Sequence, residues 1–164
     1  MATQTATSTR MKAYKDVFQA AEKYMRVRKN DVHIPISFHY AMRLADRYPD
    51  ADRLLVGVAI ILHDIGWYSI DEEDIFKKGF QSENFMQSDV RYFHESEGVR
   101  DADKLWRFTQ TGVSVACDWF KQTPGQYCAR LHTDIIPVLH LKESKEMAKI
   151  ELTETEKMLQ TDIL

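Results

Sequence analysis

Met11, Tyr14, Val17, Phe18, Ala21, Tyr24 and Met25 recur at three- and four-residue spacing, which predicts an amphipathic helix over about residues 10–28. Asp31 can cap a second helix that carries Ile36, Ala41 and Leu44 on one face and ends before Pro49. Pro35 falls in its first turn, where the missing N–H costs little, and His33 sits in the same opening turn. A third helix is expected from after Asp50 to near Gly66, a residue suited to the left-handed geometry of a helix end. Ser69 and Glu72 have capping-box spacing, whereas residues 76–89 show no period and read as an ordered loop. Further helices are predicted over 90–108, 113–121, 126–139 and 143–159, broken at Pro124-Gly125 and bent at Pro137. The pattern is that of an all-α chain.

A chain of 164 residues suits one domain with a real core, and neither an internal repeat nor a break in composition suggests a second. The Thr/Ser-rich, uncharged stretch over residues 1–9 reads as a disordered tail, leaving a single helical domain over 10–164. With 44% hydrophobic and 29% charged residues and a net charge of −3, the chain has no basic stripe of the kind a nucleic-acid binder needs. Arg26-Val-Arg-Lys29 is short enough to read as solvated surface, and no nucleic-acid partner is expected. No run reaches the ~18 apolar residues needed to span a bilayer, so no membrane partner is expected either. Cys117 and Cys128 lie outside any Cys-x-x-Cys arrangement and no secretory segment is visible, which points to a reducing, cytoplasmic setting.

The chemistry is most legible at His63-Asp64. Nine apolar or small residues, 54–62, run directly into two metal-type ligands. Adjacent helical residues point about 100° apart, so both could reach one cation only if it sits at the helix end, between this helix and its neighbours. His33 or His39 could contribute from upstream, and Asp101 or Asp103 from downstream.

The strings His63-Asp-Ile-Gly-Trp67 and Asp101-Ala-Asp-Lys-Leu-Trp-Arg-Phe108, in the order His33, His63-Asp64, Asp103, resemble the HD superfamily of metal-dependent phosphohydrolases. The resemblance runs from about residue 30 to residue 108. It implies an all-α HD-domain helical bundle and a divalent cation held by His33, His63, Asp64 and Asp103, with Mn, Fe, Co, Ni, Mg and Zn all compatible with such a donor set. His33 is preferred to His39 because Asp-Val-His and the apolar residues after it match similar proteins, and the Ala-Asp-Lys-Leu pattern selects Asp103, leaving Asp101 to cap or support. Asp64 would bridge the metal and orient the attacking water, whose pKa a bound cation lowers. His94, in His-Glu-Ser-Glu-Gly, matches an additional histidine of two-metal relatives and is a second catalytic candidate. Lys104 and Arg107 could reach substrate phosphate. His132 and His140 carry no motif and read as structural.

The chain departs from its look-alikes in one place. In similar proteins additional helices separate the His-Glu-x-x-Gly segment from the Ala-Asp-Lys-Leu helix, whereas here Gly98-Val-Arg100 runs straight into Asp101. The bundle is therefore expected to be shortened between the His-Asp helix and the Ala-Asp-Lys-Leu helix. If the join is one helix, His94 and Asp103 stand about 13.5 Å apart along its axis and could hardly serve one cluster. The resemblance implies a phosphohydrolase acting on a small phosphate ester, nucleotides among the candidates. The alternatives are a catalytically impaired HD scaffold or regulatory binding module and, third, an HD-type di-iron oxygenase. A shortened core would also have reason to form a homodimer.

Overall fold

The computed structural model describes residues 2–70 and 93–161, and their side chains over 8–70 and 96–160. Among them are seven α-helices and no strand: α1 (Ala2–Ala21), α2 (Asn30–Ala45), α3 (Arg53–Leu62), α4 (Phe93–Leu105), α5 (Gln110–Phe120), α6 (Pro124–Arg130) and α7 (Lys142–Thr161). The turn expected at Ser69–Glu72 and the loop expected over 76–89 fall largely outside the described residues.

Most helices form where the pattern puts them, and the differences lie at their ends. Helix α1 opens at Ala2, ahead of the expected start, because nothing in the Thr/Ser stretch breaks a helix. It ends at Ala21, and a 3-10 turn over Glu22–Tyr24 carries the chain on. Helix α2 is capped by Lys29 in the left-handed conformation, so Asp31 lies inside its first turn instead of capping it. Helix α3 is capped by Asp52, whose carboxylate accepts from the backbone N–H groups of Leu54 and Leu55 at 2.9 and 3.1 Å. It stops at Leu62, short of Gly66, which belongs to a separate 3-10 segment, Ile65–Ser69. Pro124, expected as a break, is the first residue of α6: Thr123 and Gln126 form a reciprocal capping box around it. The expected single helix over 126–139 divides into α6 and a π-helical turn, Leu131–Ile135.

Helix α2 packs against α3 and α4, which also touch each other, while α1 lies on α3. The main core joins Tyr40, Ala41, Leu44, Val56, Ile60, Ala102, Leu105, Phe108, Val113, Leu131 and Leu152. A smaller cluster, Tyr14, Ala21, Met25, Ile34 and Ile61, holds α1 to α2 and α3. Gly57 makes the second contact close: a Cβ there would stand 2.4 Å from the Tyr14 ring, whose hydroxyl donates to the Arg53 carbonyl at 2.6 Å. The apolar faces of α3 and α5 are thus covered where they meet the core. Val56, Ile60, Ile61, Val113 and Ala116 are all buried.

Two devices set the position of α4 and the turn after it. Asp101, fully buried, accepts from the backbone N–H groups of His140 (3.0 Å) and Leu141 (2.8 Å) and lies 3.0 Å from His140 Nδ1. It therefore pins α4 to the segment leading into α7. The 3-10 turn Trp106–Phe108 follows α4. Gly112 lies against it so closely that a Cβ would meet the Trp106 carbonyl oxygen at 2.1 Å. Thr155 of α7, buried, donates to the Phe108 carbonyl at 2.8 Å and closes the same turn from the other side. Among the described residues no helix is long and apolar enough to cross a membrane.

Candidate metal centre

His33 lies on the buried face of α2, in register with Asn30, Ser37, Tyr40 and Leu44. His63 is the residue at which α3 ends, and its Nδ1 lies 2.8 Å from the carbonyl oxygen of Ile60. With Nδ1 donating to that carbonyl, Nε2 is left as the lone-pair nitrogen facing inward, the arrangement a metal-ligating imidazole commonly has. Asp103 enters from the last turn of α4. Its Oδ1 lies 2.9 Å from His33 Nε2 and 3.2 Å from His63 Nε2. One donor atom from each of the three side chains lies within 4.8 Å of the other two.

The spacing of these contacts also bears on a cation. Both Nε2 atoms are buried and face the one Asp103 carboxylate oxygen. Two donors about 2.1 Å from one cation and at right angles to each other would stand about 3.0 Å apart. The observed 2.9 and 3.2 Å match that spacing, so the residues fit a divalent cation by both donor chemistry and distance. The indole of Trp106 stacks on His33 at 4.8 Å between centroids and 16° between planes, which fixes the ring from one side.

The charges are as strongly coupled as the distances suggest. Burial by itself would push the His63 imidazole down, but Asp103, Asp64 and the Ile60 carbonyl outweigh it and raise its pKa to about 9. Burial would raise the Asp103 carboxyl, yet His33 and His63 hold it well below the usual carboxylate range.

Asp64, expected as a fourth ligand, stands at the edge of this group. Its Oδ1 is 3.4 Å from His63 Nε2 and its Oδ2 is 3.8 Å from His33 Nδ1, but it is not part of the tight three-residue set. Its Oδ1 accepts from the Trp67 indole N–H at 3.1 Å. Its Oδ2 faces Arg28 Nη1 at 3.8 Å.

The remaining candidates divide clearly. His39 is exposed on the outer side of α2, edge-on to Tyr40, so of the two upstream histidines it is His33 that joins the cluster. Asp101 is the buried clamp on His140 and Leu141, and His132 pairs with Glu156 at 3.2 Å on the surface. His94 falls in the first turn of α4, with its side chain outside the described residues. Helix α4 runs unbroken through Gly98, which puts the backbone of His94 about 13.5 Å along the axis from Asp103. Lys104, half-buried beside Asp103, donates to the Arg100 carbonyl at 3.1 Å. Its ammonium pKa is lowered by burial, which the attraction of Asp103 and Asp101 only partly offsets, with Arg107 repelling it further.

Three neighbours of the cluster had no assigned role in the sequence. Trp67 and Trp106 lie inside the two motif strings, but nothing in a string shows which ring will stack. Arg28 belonged to a basic run read as solvated surface. Its backbone and that of Lys29 are both left-handed, with φ of 55° and 57°, a conformation that sequence spacing does not reveal for such residues.

No family profile matches the chain, and no curated protein matches it. Among solved structures it is similar to the crystal structure of an HD-superfamily hydrolase from Bacillus thuringiensis. That likeness has a TM-score of 0.61 at 12% identity and covers 94% of this chain and 96% of the other. At that identity the likeness speaks to architecture, and the chain has the all-α HD-domain fold.

Proposed function

We propose that this protein is a divalent-metal-dependent phosphohydrolase acting on a small phosphate ester, nucleotides among the candidate substrates. The observation that carries the reading is the convergence of His33 Nε2, His63 Nε2 and Asp103 Oδ1, with both imidazole nitrogens buried. The similarity of fold to an HD-superfamily hydrolase supports a hydrolytic reaction. His33, His63 and Asp103 would hold the cation, with Asp64 at its margin. When bound, a divalent cation supplies a more acidic water and polarises a phosphoryl oxygen.

The chain's own residues account for the rest. Asp64, held in place by Trp67, is placed to accept a proton from water and orient it. Lys104 and Arg107, one and four positions past Asp103, would supply positive charge to an anionic ester. Trp106, stacked on His33, limits the motion of that imidazole and covers one face of the site.

The test is to purify the protein, measure its metal content, strip it, and reload it separately with Mn, Ni, Co and Mg before screening generic phosphate esters. Hydrolysis that depends on added metal and is lost in both Asp64→Ala and Asp103→Ala is the expected result. A second reading, an impaired scaffold that binds without turning over, draws on two observations. Asp64 stands outside the tight three-residue set, and the backbone of His94 is far from Asp103 along α4. Metal binding with no hydrolysis of any ester would favour the scaffold, and absence of both would reject the enzyme reading.

A further inference from the structure

We propose that Asn30 is a positioning residue of the metal centre: its side-chain carbonyl accepts the Nδ1–H of His33 and so holds that imidazole with Nε2 turned toward Asp103 and the cation. The inference rests on the reading of His33, His63 and Asp103 as metal ligands and stands apart from the choice of substrate.

Two unmet hydrogen-bonding needs lie one turn apart on α2. A metal-ligating imidazole keeps its orientation by donating its second ring N–H to an acceptor. His63 has one, the Ile60 carbonyl, 2.8 Å from its Nδ1. His33 has none among the described residues: Asp64 Oδ2 stands 3.8 Å from its Nδ1, beyond hydrogen-bond reach. The stacked Trp106 ring covers a face of the imidazole and offers nothing to its edge. The second need is that of the Asn30 carboxamide. Asn30 is 1% exposed, and neither its Oδ1 nor its Nδ2 has a hydrogen-bond partner among the described residues. A buried amide left unpaired is less favourable than an apolar side chain of the same size, so packing alone gives no reason for an asparagine here.

The helix brings the two together. Asn30 and His33 share the buried face of α2, and residues three apart on a helix have their Cβ atoms about 5–6 Å from each other. Aromatic and other long side chains on a helix lean toward its N-terminus, so the His33 ring lies over the turn that Asn30 opens. The direction of Nδ1 agrees. It faces Asp64 Oδ2, and that same oxygen faces the Nη1 of Arg28, two residues before Asn30. Nδ1 is therefore on the side where the chain enters α2, while Nε2 faces Asp103. Ser37 supplies the contrast. It lies one turn beyond His33 on the same face, fully buried and with its hydroxyl equally unpartnered among the described residues, but the lean of the ring carries it away from Ser37.

The experiment titrates zinc into metal-stripped, full-length protein against a competing chelator, for native protein, Asn30→Leu, Asn30→Asp and Ser37→Ala, with melting curves recorded in excess chelator. Asn30→Leu keeps the volume and removes the acceptor. It should melt no lower than native protein yet bind zinc at least tenfold more weakly. Asn30→Asp keeps an oxygen in the same place and should retain most of the native affinity, as should Ser37→Ala. In zinc-loaded protein with isotope-labelled histidine, the His33 Nδ1–H proton should be resolved by magnetic resonance in native protein and lost to exchange in Asn30→Leu, while that of His63, held by Ile60, remains. A smaller loss of zinc affinity in folded Asn30→Leu overturns the proposal. So does an equal loss in Ser37→Ala, which would make the effect one of packing. If Asn30→Leu melts well below native protein, Asn30→Ala takes its place, and a His33 Nδ1–H that exchanges freely in native zinc-loaded protein overturns the proposal whatever the variants do. Native protein that takes up no zinc rejects the metal centre and this inference together, whereas native uptake that Asn30→Leu leaves unchanged rejects the inference alone.

Discussion

Asp101 and Asp103 lie two residues apart on α4, about 200° around its axis, and should fail in opposite ways when removed. Asp101 is fully buried, and its carboxylate takes the N–H groups of His140 and Leu141 as well as facing His140 Nδ1. Truncation to Ala leaves two backbone donors without their acceptor and opens a small void between α4 and the segment before α7. Hydrogen bonds to a charged group are worth about 1.5–3 kcal/mol each, so losing two gives a cost of about 3–6 kcal/mol. For a domain of this size each kcal/mol moves the melting temperature by about 2–4 °C, so Asp101→Ala should melt roughly 6–24 °C below native protein. Asp103 takes no backbone donor of this kind; its partners are the imidazoles of His33 and His63. Asp103→Ala should fold, with its loss appearing as missing metal and as the disappearance of any metal-dependent rise in melting temperature. The assay is thermal unfolding of both variants with excess chelator and with excess Mn, together with metal content after dialysis. Asp101→Ala melting within about 2 °C of native protein would refute the reasoning, as would Asp103→Ala retaining native metal content.

The remaining predictions use the same assays. His33→Ala and His63→Ala should each strip most of the bound divalent cation, and His39→Ala should leave it nearly intact; equal losses from His39 and His33 would break the assignment. In metal-free protein, His63 is raised from 6.5 to about 9 by carboxylates that exist only around the folded site, so its stabilising contribution is complete below about pH 6.5 and fades as pH rises through 9. Urea midpoints in chelator should therefore fall across that window and the fall should flatten in His63→Gln, whereas metal affinity should rise with pH as the proton leaves. Gly112→Ala should destabilise the fold by about 1–3 kcal/mol or more, since its Cβ would collide with backbone that cannot swing away. Because the turn it presses on carries Trp106, that variant should also weaken metal binding; an unchanged melting curve would contradict the close approach.

The convergence of His33, His63 and Asp103 was legible because each depends on a feature that a sequence carries directly: a periodic helix face, the end of an apolar run, and a motif string. The short connection between His94 and Asp101 raised the question of whether Asp103 could still reach. It does, because Asp103 sits at the far end of α4, where that helix packs on α2 and α3, and the position of His94 at the near end has no bearing on it. Asp101 could be set aside as a ligand from the motif, but its role as a clamp could not be read, since its partners are backbone groups about forty positions away. Helix ends were misjudged for a related reason. Asp31 and Gly66 have the right chemistry for caps, yet α2 is capped at Lys29 in the left-handed conformation and α3 stops at Leu62, with a separate 3-10 segment following at Ile65–Ser69.

Arg28 is the sharpest case of what spacing conceals. Read as a string, Arg26-Val-Arg-Lys29 is a short basic run of the kind that usually faces water. Its members separate only when two successive residues adopt left-handed backbone, a choice set by the packing of Met25 and Asn30 on either side, both buried. With Met25 in the α1–α2–α3 cluster and Asn30 opening α2, few residues remain to reverse the chain, and the side chain between them is turned toward Trp67 and Asp64. The same tight turn that costs local strain thus delivers a cation to the carboxylate side of the cluster. Relaxing it offers a separate check on that coupling: Lys29→Gly, which accepts positive φ without penalty, should raise stability slightly and leave metal content unchanged. A clear loss of stability in Lys29→Gly, measured by urea unfolding, would show that the turn is held by contacts of the lysine side chain and not by its buried flanks.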